Sequence, residues 1–145
     1  MKVLSVWHWE NACQADGTGT WKVYKDGTGF QSLTTIEPCK SYWVCINSTG
    51  NVTLPLCGFK YPCPPAVPPK CCYCECWNMV GYMSTNTTMT LGEYTFSVPA
   101  GALQAVLTYD STTGWSVVGN ATAMIPGRGY WMSFGADTCL VPPVS

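Results

Sequence analysis

The chain has 145 residues, of which 10% are charged and 13% aromatic, and its formal net charge is −1. A composition so apolar and aromatic excludes intrinsic disorder. Its seven Lys and Arg are scattered singly, which excludes a basic stripe for nucleic acid and a polybasic patch for an anionic membrane.

The opening, MKVLSVWHWENAC, is no signal peptide, because its apolar stretch is short and broken by Ser5, His8 and Glu10. Either sequence precedes Met1 in the full product or export uses another route. No apolar run reaches the length that spans a bilayer, so no membrane insertion is expected. Residues 3–9 and 20–25 flank the turn-rich stretch Ala15-Asp16-Gly17-Thr18-Gly19 and read as a hairpin. Asp26-Gly27-Thr28-Gly29 is a second such turn. Phe30–Ile36 leads to a turn at Pro38 and a strand over Ser41–Asn47, after which Asn47–Asn51 turns the chain into Val52–Leu56.

Residues 57–76 differ in kind, with five prolines and six cysteines in twenty positions. Proline keeps such a segment out of a central strand and favours polyproline II. It reads as a stiff connector, stapled by its cysteines to the modules on either side. Beyond it, strands are expected at 77–84, 95–98, 103–109, 114–118, 129–134 and 138–141. Ser97–Gln104, with Ser97 as cap, is the one candidate for a helical turn, and Pro142-Pro143 terminates an edge strand.

A signature recurs along this path. Gly19-Thr20-Trp21 is followed by Pro38-Cys39-Lys40-Ser41-Tyr42-Trp43-Val44, and Thr113-Gly114-Trp115 by Pro126-Gly127-Arg128-Gly129-Tyr130-Trp131-Met132. The second copy has an opening, Trp77-Asn78-Met79-Val80-Gly81-Tyr82, that the first lacks, and a central strand, Val106–Asp110. A repeat of this length means related structural units. The expected fold is all-β: a truncated first antiparallel module over 1–58, a Cys/Pro-rich connector over 59–76, and a second, sandwich- or barrel-like module over 77–145.

These motifs resemble a β-repeat of bacterial and archaeal cell-surface, S-layer-like proteins, whose pattern is a WNLVGY-type opening, a TGxW turn and a GxGYWV-type closing strand. The resemblance covers most of 77–141 and about 15–58, with Cys39 and Ser41 where the pattern has glycines. It implies an extracellular prokaryotic β-module and is nearly silent on activity.

Ten cysteines, Cys13, Cys39, Cys45, Cys57, Cys63, Cys71, Cys72, Cys74, Cys76 and Cys139, read as a disulfide framework in an oxidising compartment. Vicinal Cys71 and Cys72 are expected to send their sulfurs to different partners. The competing reading is zinc on the Cys71/Cys74 spacing; disulfides suit the compartment better, so no metal or other cofactor is expected. Sequons at Asn47, Asn51, Asn86 and Asn120 agree with secretion and make N-linked glycans expected partners.

The single histidine, His8, has no nucleophile motif beside it, and the eight carboxylates form no glycosidase or calcium pattern. No catalytic site is expected. Trp7, Trp9, Trp21, Trp43, Trp115 and Trp131 serve as core and subunit contacts, or form a sugar platform. The sequence thus points to a secreted structural subunit that self-assembles into an extracellular filament, tube or surface layer. The alternative is a cell-surface carbohydrate-binding or adhesive module. Because the first module lacks an opening strand, its sheet is expected to have an open edge. Either Val3–Trp9 or Thr138–Val141 then pairs with a neighbouring subunit, or 52–56 folds back to fill the gap.

Overall fold

The computed structural model describes residues 2–14, 16–27, 29, 31–50, 52–53 and 70–143. The elements in chain order are β1 (Lys2–Asn11), β2 (Gly19–Lys25), β3 (Trp43–Asn47), β4 (Cys71–Tyr73), β5 (Cys76–Gly81), α1 (Leu91–Tyr94), β6 (Leu103–Asp110), β7 (Gly114–Val117), β8 (Gly129–Phe134) and β9 (Thr138–Leu140). The fold is all-β and antiparallel throughout, with sheets β2-β1-β3, β4-β9 and β5-β8-β6-β7.

The strands are rich in Val, Trp, Tyr and Thr, which fit a pleated surface. They turn where glycine supplies a left-handed backbone, as Gly114 does at φ 79° between β6 and β7. The one helix among the described residues is short and starts at Thr90, whose hydroxyl accepts from the Glu93 N–H while the Glu93 carboxylate accepts from the Thr90 N–H. That reciprocal capping box satisfies two donors that a helix start leaves open. The helix therefore lies ahead of the expected position at 97–104, and residues 95–98, expected as a strand, form the turn that leaves it.

The two larger sheets repeat one another in register. In the first, Trp9 faces Trp21, Trp7 faces both Val23 and Trp43, and the β1–β3 ladder is irregular between Val3 and Ser5. In the second, Tyr109 faces Trp115, Leu107 faces both Val117 and Trp131, and the β6–β8 ladder is irregular between Leu103 and Ala105. Thus β1, β2 and β3 correspond to β6, β7 and β8, and only β5 has no counterpart. Side-chain anchors repeat too. Tyr42 Oη accepts from the Glu37 N–H at 2.8 Å, and Tyr130 Oη accepts from the Ile125 N–H at the same distance.

The missing strand leaves no simple open edge. β5 pairs with β8 along one side, and on the other it meets residues 39–41. There the Ser41 N–H donates to Met79 O at 3.2 Å and the Gly81 N–H to Cys39 O at 3.0 Å. One strand therefore joins both sheets. Of the two strands expected to add to a neighbour's sheet, Val3–Trp9 has no free edge, whereas Thr138–Val141 has a single strand neighbour among the described residues. β1 is flanked on both sides by β2 and β3, and β9 pairs with β4 in its own chain. Residues 54–56, the other candidate filler, lie outside the described residues.

Burial is lopsided. The core cluster, with Val80, Leu91, Tyr94, Met124, Tyr130, Met132, Phe134 and Leu140 at its centre, belongs to residues 71–140. Among the strand residues of the first sheet whose burial is described, only His8 is buried. Nor is the connector a spacer throughout. Within 59–76, Cys71–Tyr73 is strand β4, buried at Cys71 and Tyr73, and Cys76 already belongs to β5. Alternation along β4 sends Cys71 toward Cys39 and Cys72 toward Cys139.

Glycine allows the halves to close. A Cβ on Gly129 would lie 2.7 Å from Ser41 Cβ, and one on Gly81 would lie 2.6 Å from the Lys40 carbonyl oxygen. Gly129→Ala is expected to destabilise the protein by about 1–3 kcal/mol through overpacking. Gly119→Ala, whose Cβ would meet only Thr122 Oγ1 at 3.8 Å, is expected to be near neutral. Denaturant midpoints of the two variants test this.

Candidate functional site: the aromatic seam

Where the two sheets meet, their equivalent residues cross. Trp43 of β3 packs on Tyr109 and Trp115, with centroids 4.8 and 5.5 Å apart, and Trp131 of β8, the counterpart of Trp43, packs on Trp21 at 6.0 Å. Trp21 is the counterpart of Trp115, so contact and mirror contact are both made, as at an isologous two-fold interface. Ser41 and Gly129, themselves counterparts, touch one another and mark the axis.

Trp7, Trp9 and Trp77 extend the seam through Trp21 and Trp131. The rings meet at interplanar angles of 81° for Trp7–Trp21, 66° for Trp21–Trp131 and 64° for Trp43–Trp115. Edge-to-face geometry stabilises aromatic pairs by about 0.5–1.5 kcal/mol beyond burial. It does not present the coplanar rings on which a row of sugars stacks. A cleft of about 120 Å³ opens beside the axis, lined among others by Tyr42, Trp43, Met79, Tyr109 and Trp131. Trp131 Nε1 is buried there with no hydrogen-bond acceptor among the described residues.

Polar groups around the seam repeat as well. Lys40 Nζ lies 3.7 Å from Glu10 and 2.9 Å from Glu37, and Arg128 pairs with Asp110 at the equivalent place in the second half. The Lys22 ammonium hydrogen-bonds to Glu10 and, with Lys40 nearby, holds that carboxyl below its usual range. His8 occupies the position of Thr108. The Thr108 hydroxyl donates to Gly129 O at 3.1 Å, and His8 Nδ1 lies 2.9 Å from Ser41 O. A carbonyl only accepts, so Nδ1 carries the proton there. The ring is 4 % exposed and tilted on Tyr42, and burial holds its pKa below the ordinary 6.5. Among the described residues no group of three or more His, Cys, Asp or Glu side chains is placed to hold a metal ion.

Among the described residues, three disulfides join Cys13 to Cys74, Cys39 to Cys71 and Cys72 to Cys139. The first two tie the first sheet to the segment before β5, and both sulfurs of the zinc-like Cys71/Cys74 spacing are used in them. Cys45, expected in a disulfide, is an exposed free thiol. It faces Ser5 across the β1–β3 ladder, with no described sulfur opposite it. Cys76 belongs to none of the three bonds and sits beside Gly17, while Cys57 and Cys63 lie outside the described residues.

Of the sequon residues, Asn47 and Asn120 are exposed, at the end of β3 and in a turn. Asn86 is half-buried, its Oδ1 accepting from the Thr88 N–H and hydroxyl at 2.8 and 2.9 Å. Asn51 lies outside the described residues. No described helix is long and apolar enough to cross a membrane. No protein-family model matches the chain, and no significant match is found among curated proteins or solved structures.

The buried histidine gives stability a pH dependence of known sign. Its folded pKa lies below 6.5, so between the two values the unfolded chain binds more protons. Stability is fully present above about pH 6.5, falls as pH is lowered toward the folded pKa, and levels off below it. Denaturant titrations from about pH 8 to pH 4 are expected to show this slope in the wild type, and to show it reduced in His8→Thr.

Proposed function

We propose that this protein is a secreted, glycosylated, disulfide-tied structural subunit of an extracellular assembly such as a filament, tube or surface layer. One observation carries the reading: large apolar groups stand exposed on the strands of a chain with only 10% charged residues. Val117 is 78% exposed, Trp115 52%, Val44 44% and Leu4 40%, and Phe96 in the turn after the helix reaches 84%. Soluble monomers seldom expose so much apolar surface with so little charge to hold them apart. Three disulfides suit an oxidising compartment. The repeated β-module, with its resemblance to cell-surface repeats, suits an architectural role.

A carbohydrate-binding module has the exposed Trp7, Trp21 and Trp77 in its favour, but the edge-to-face rings favour protein contact. Glycans at Asn47 and Asn120 lie where a bulky hydrophilic group is accommodated, and supply solubility that the sparse charge does not.

Chain purified from its native source with disulfides intact is expected to sediment as oligomers or polymer and to appear as such in electron micrographs. A monomer whose Trp fluorescence shifts with oligosaccharides would instead establish the sugar-binding reading. Enzymatic deglycosylation is expected to lower the intact mass by at least two N-glycans, with peptide mapping placing them at Asn47 and Asn120.

A further inference from the structure

Among the described residues the second sheet ends at β7, whose one strand neighbour is β6. In antiparallel pairing, successive residues point their N–H and C=O alternately toward the partner and away from it. The Val118 N–H bonds to Val106 O at 2.9 Å, so Ser116 also faces β6, opposite Thr108. Trp115 and Val117 therefore turn their backbone groups outward.

The counterpart edge in the first half is closed. Val23, which holds the place of Val117, accepts from the Ser32 and Leu33 N–H groups at 2.9 and 3.0 Å, and its own N–H donates to Ser32 Oγ at 2.9 Å. No described residue does this for Val117. Nor does the edge carry the usual guards. β7 has no Lys, no Pro and no bulge, and no charged residue occurs between Asp110 and Arg128.

We propose that β7 pairs antiparallel with β7 of a second copy of this chain, about a two-fold axis at Ser116. In that register Trp115 of each copy faces Val117 of the other, and each such pair exchanges both of the outward N–H and C=O groups. The two side chains share a face, so each exposed valine is covered by the other copy's indole, an aromatic–β-branched pair of the kind that stabilises sheets. A neutral stretch meeting itself opposes no like charges, which is why a second copy fits this edge. The contact closes on itself and makes dimers; a filament or layer adds a second, different contact. The proposal rests on the assembly reading above and names one of its contacts.

The test uses the full, disulfide-intact chain. Light scattering behind size exclusion measures self-association of the wild type, of Val117→Lys, and of Thr20→Lys as a charge-matched change at an exposed position of β2. Val117→Lys is expected to weaken association at least about tenfold, with Thr20→Lys unchanged. Hydrogen exchange of the wild type, which needs no variant to fold, is expected to show slower exchange of the Trp115 and Val117 amides at associating concentrations than in dilute solution. A wild type that associates while Val117→Lys matches it and both amides keep their rates would overturn the β7 contact and leave assembly standing. A wild type that stays monomeric at every concentration would overturn the assembly reading and this contact together.

Discussion

The structure depends on one close approach, that of Ser41 to Gly129. These residues hold equivalent places in the two halves and sit against each other, with the main chain of 39–41 bonded to β5. A side chain at position 129 would hold the backbones apart. The crossed contacts of Trp43 and Trp131 then lose their reach, because edge-to-face rings attract only within about 4.5–7 Å. The same meeting point fixes the carbonyls that His8 and Thr108 bond. Packing and hydrogen bonding from both halves thus converge on one contact.

The halves are alike in plan and unequal in substance. The second closes its sheet over a helix turn and a loop, burying Tyr94, Met124 and Phe134 almost completely. The first is a three-stranded sheet with most side chains half-exposed, too thin to bury a core of its own. It is held against its partner by the aromatic seam, by the β5 bridge, and by the Cys13–Cys74 and Cys39–Cys71 disulfides. Such links contribute most where the hydrophobic contribution is small.

Much of this was legible in the residues. The Gly-rich turns and Trp-bearing strands place β2, β3, β7 and β8 within a residue or two, and the twin Tyr-Trp pairs announce the repeat. Other features were present but easy to pass over. Val6-Trp7-His8-Trp9-Glu10 matches Val106-Leu107-Thr108-Tyr109-Asp110 in size and polarity, so the first copy begins at β1. Thr90-Leu91-Gly92-Glu93 spells a capping box, a local signal that outranks the Ser97 cap. The double use of β5 was not legible, since no local pattern says that a strand's second edge meets residues some forty positions earlier. β4 was hidden by its proline-rich approach, because its pairing with β9 is a long-range fact.

The disulfide connectivity also sets an order of events during synthesis. Each bond reaches into residues 71–74, across separations of 61, 32 and 67 residues. The first sheet emerges from the ribosome well before the segment that fastens it and before the tryptophans that cover it. Contacts so distant in sequence close slowly, since the entropy of a long loop is lost before any contact compensates it. The N-terminal half therefore waits, with its aromatic side chains uncovered and Cys13 and Cys39 still reduced, until the C-terminal half provides a surface to settle on. For this chain, the compartment that supplies oxidant must also shelter a half-built protein.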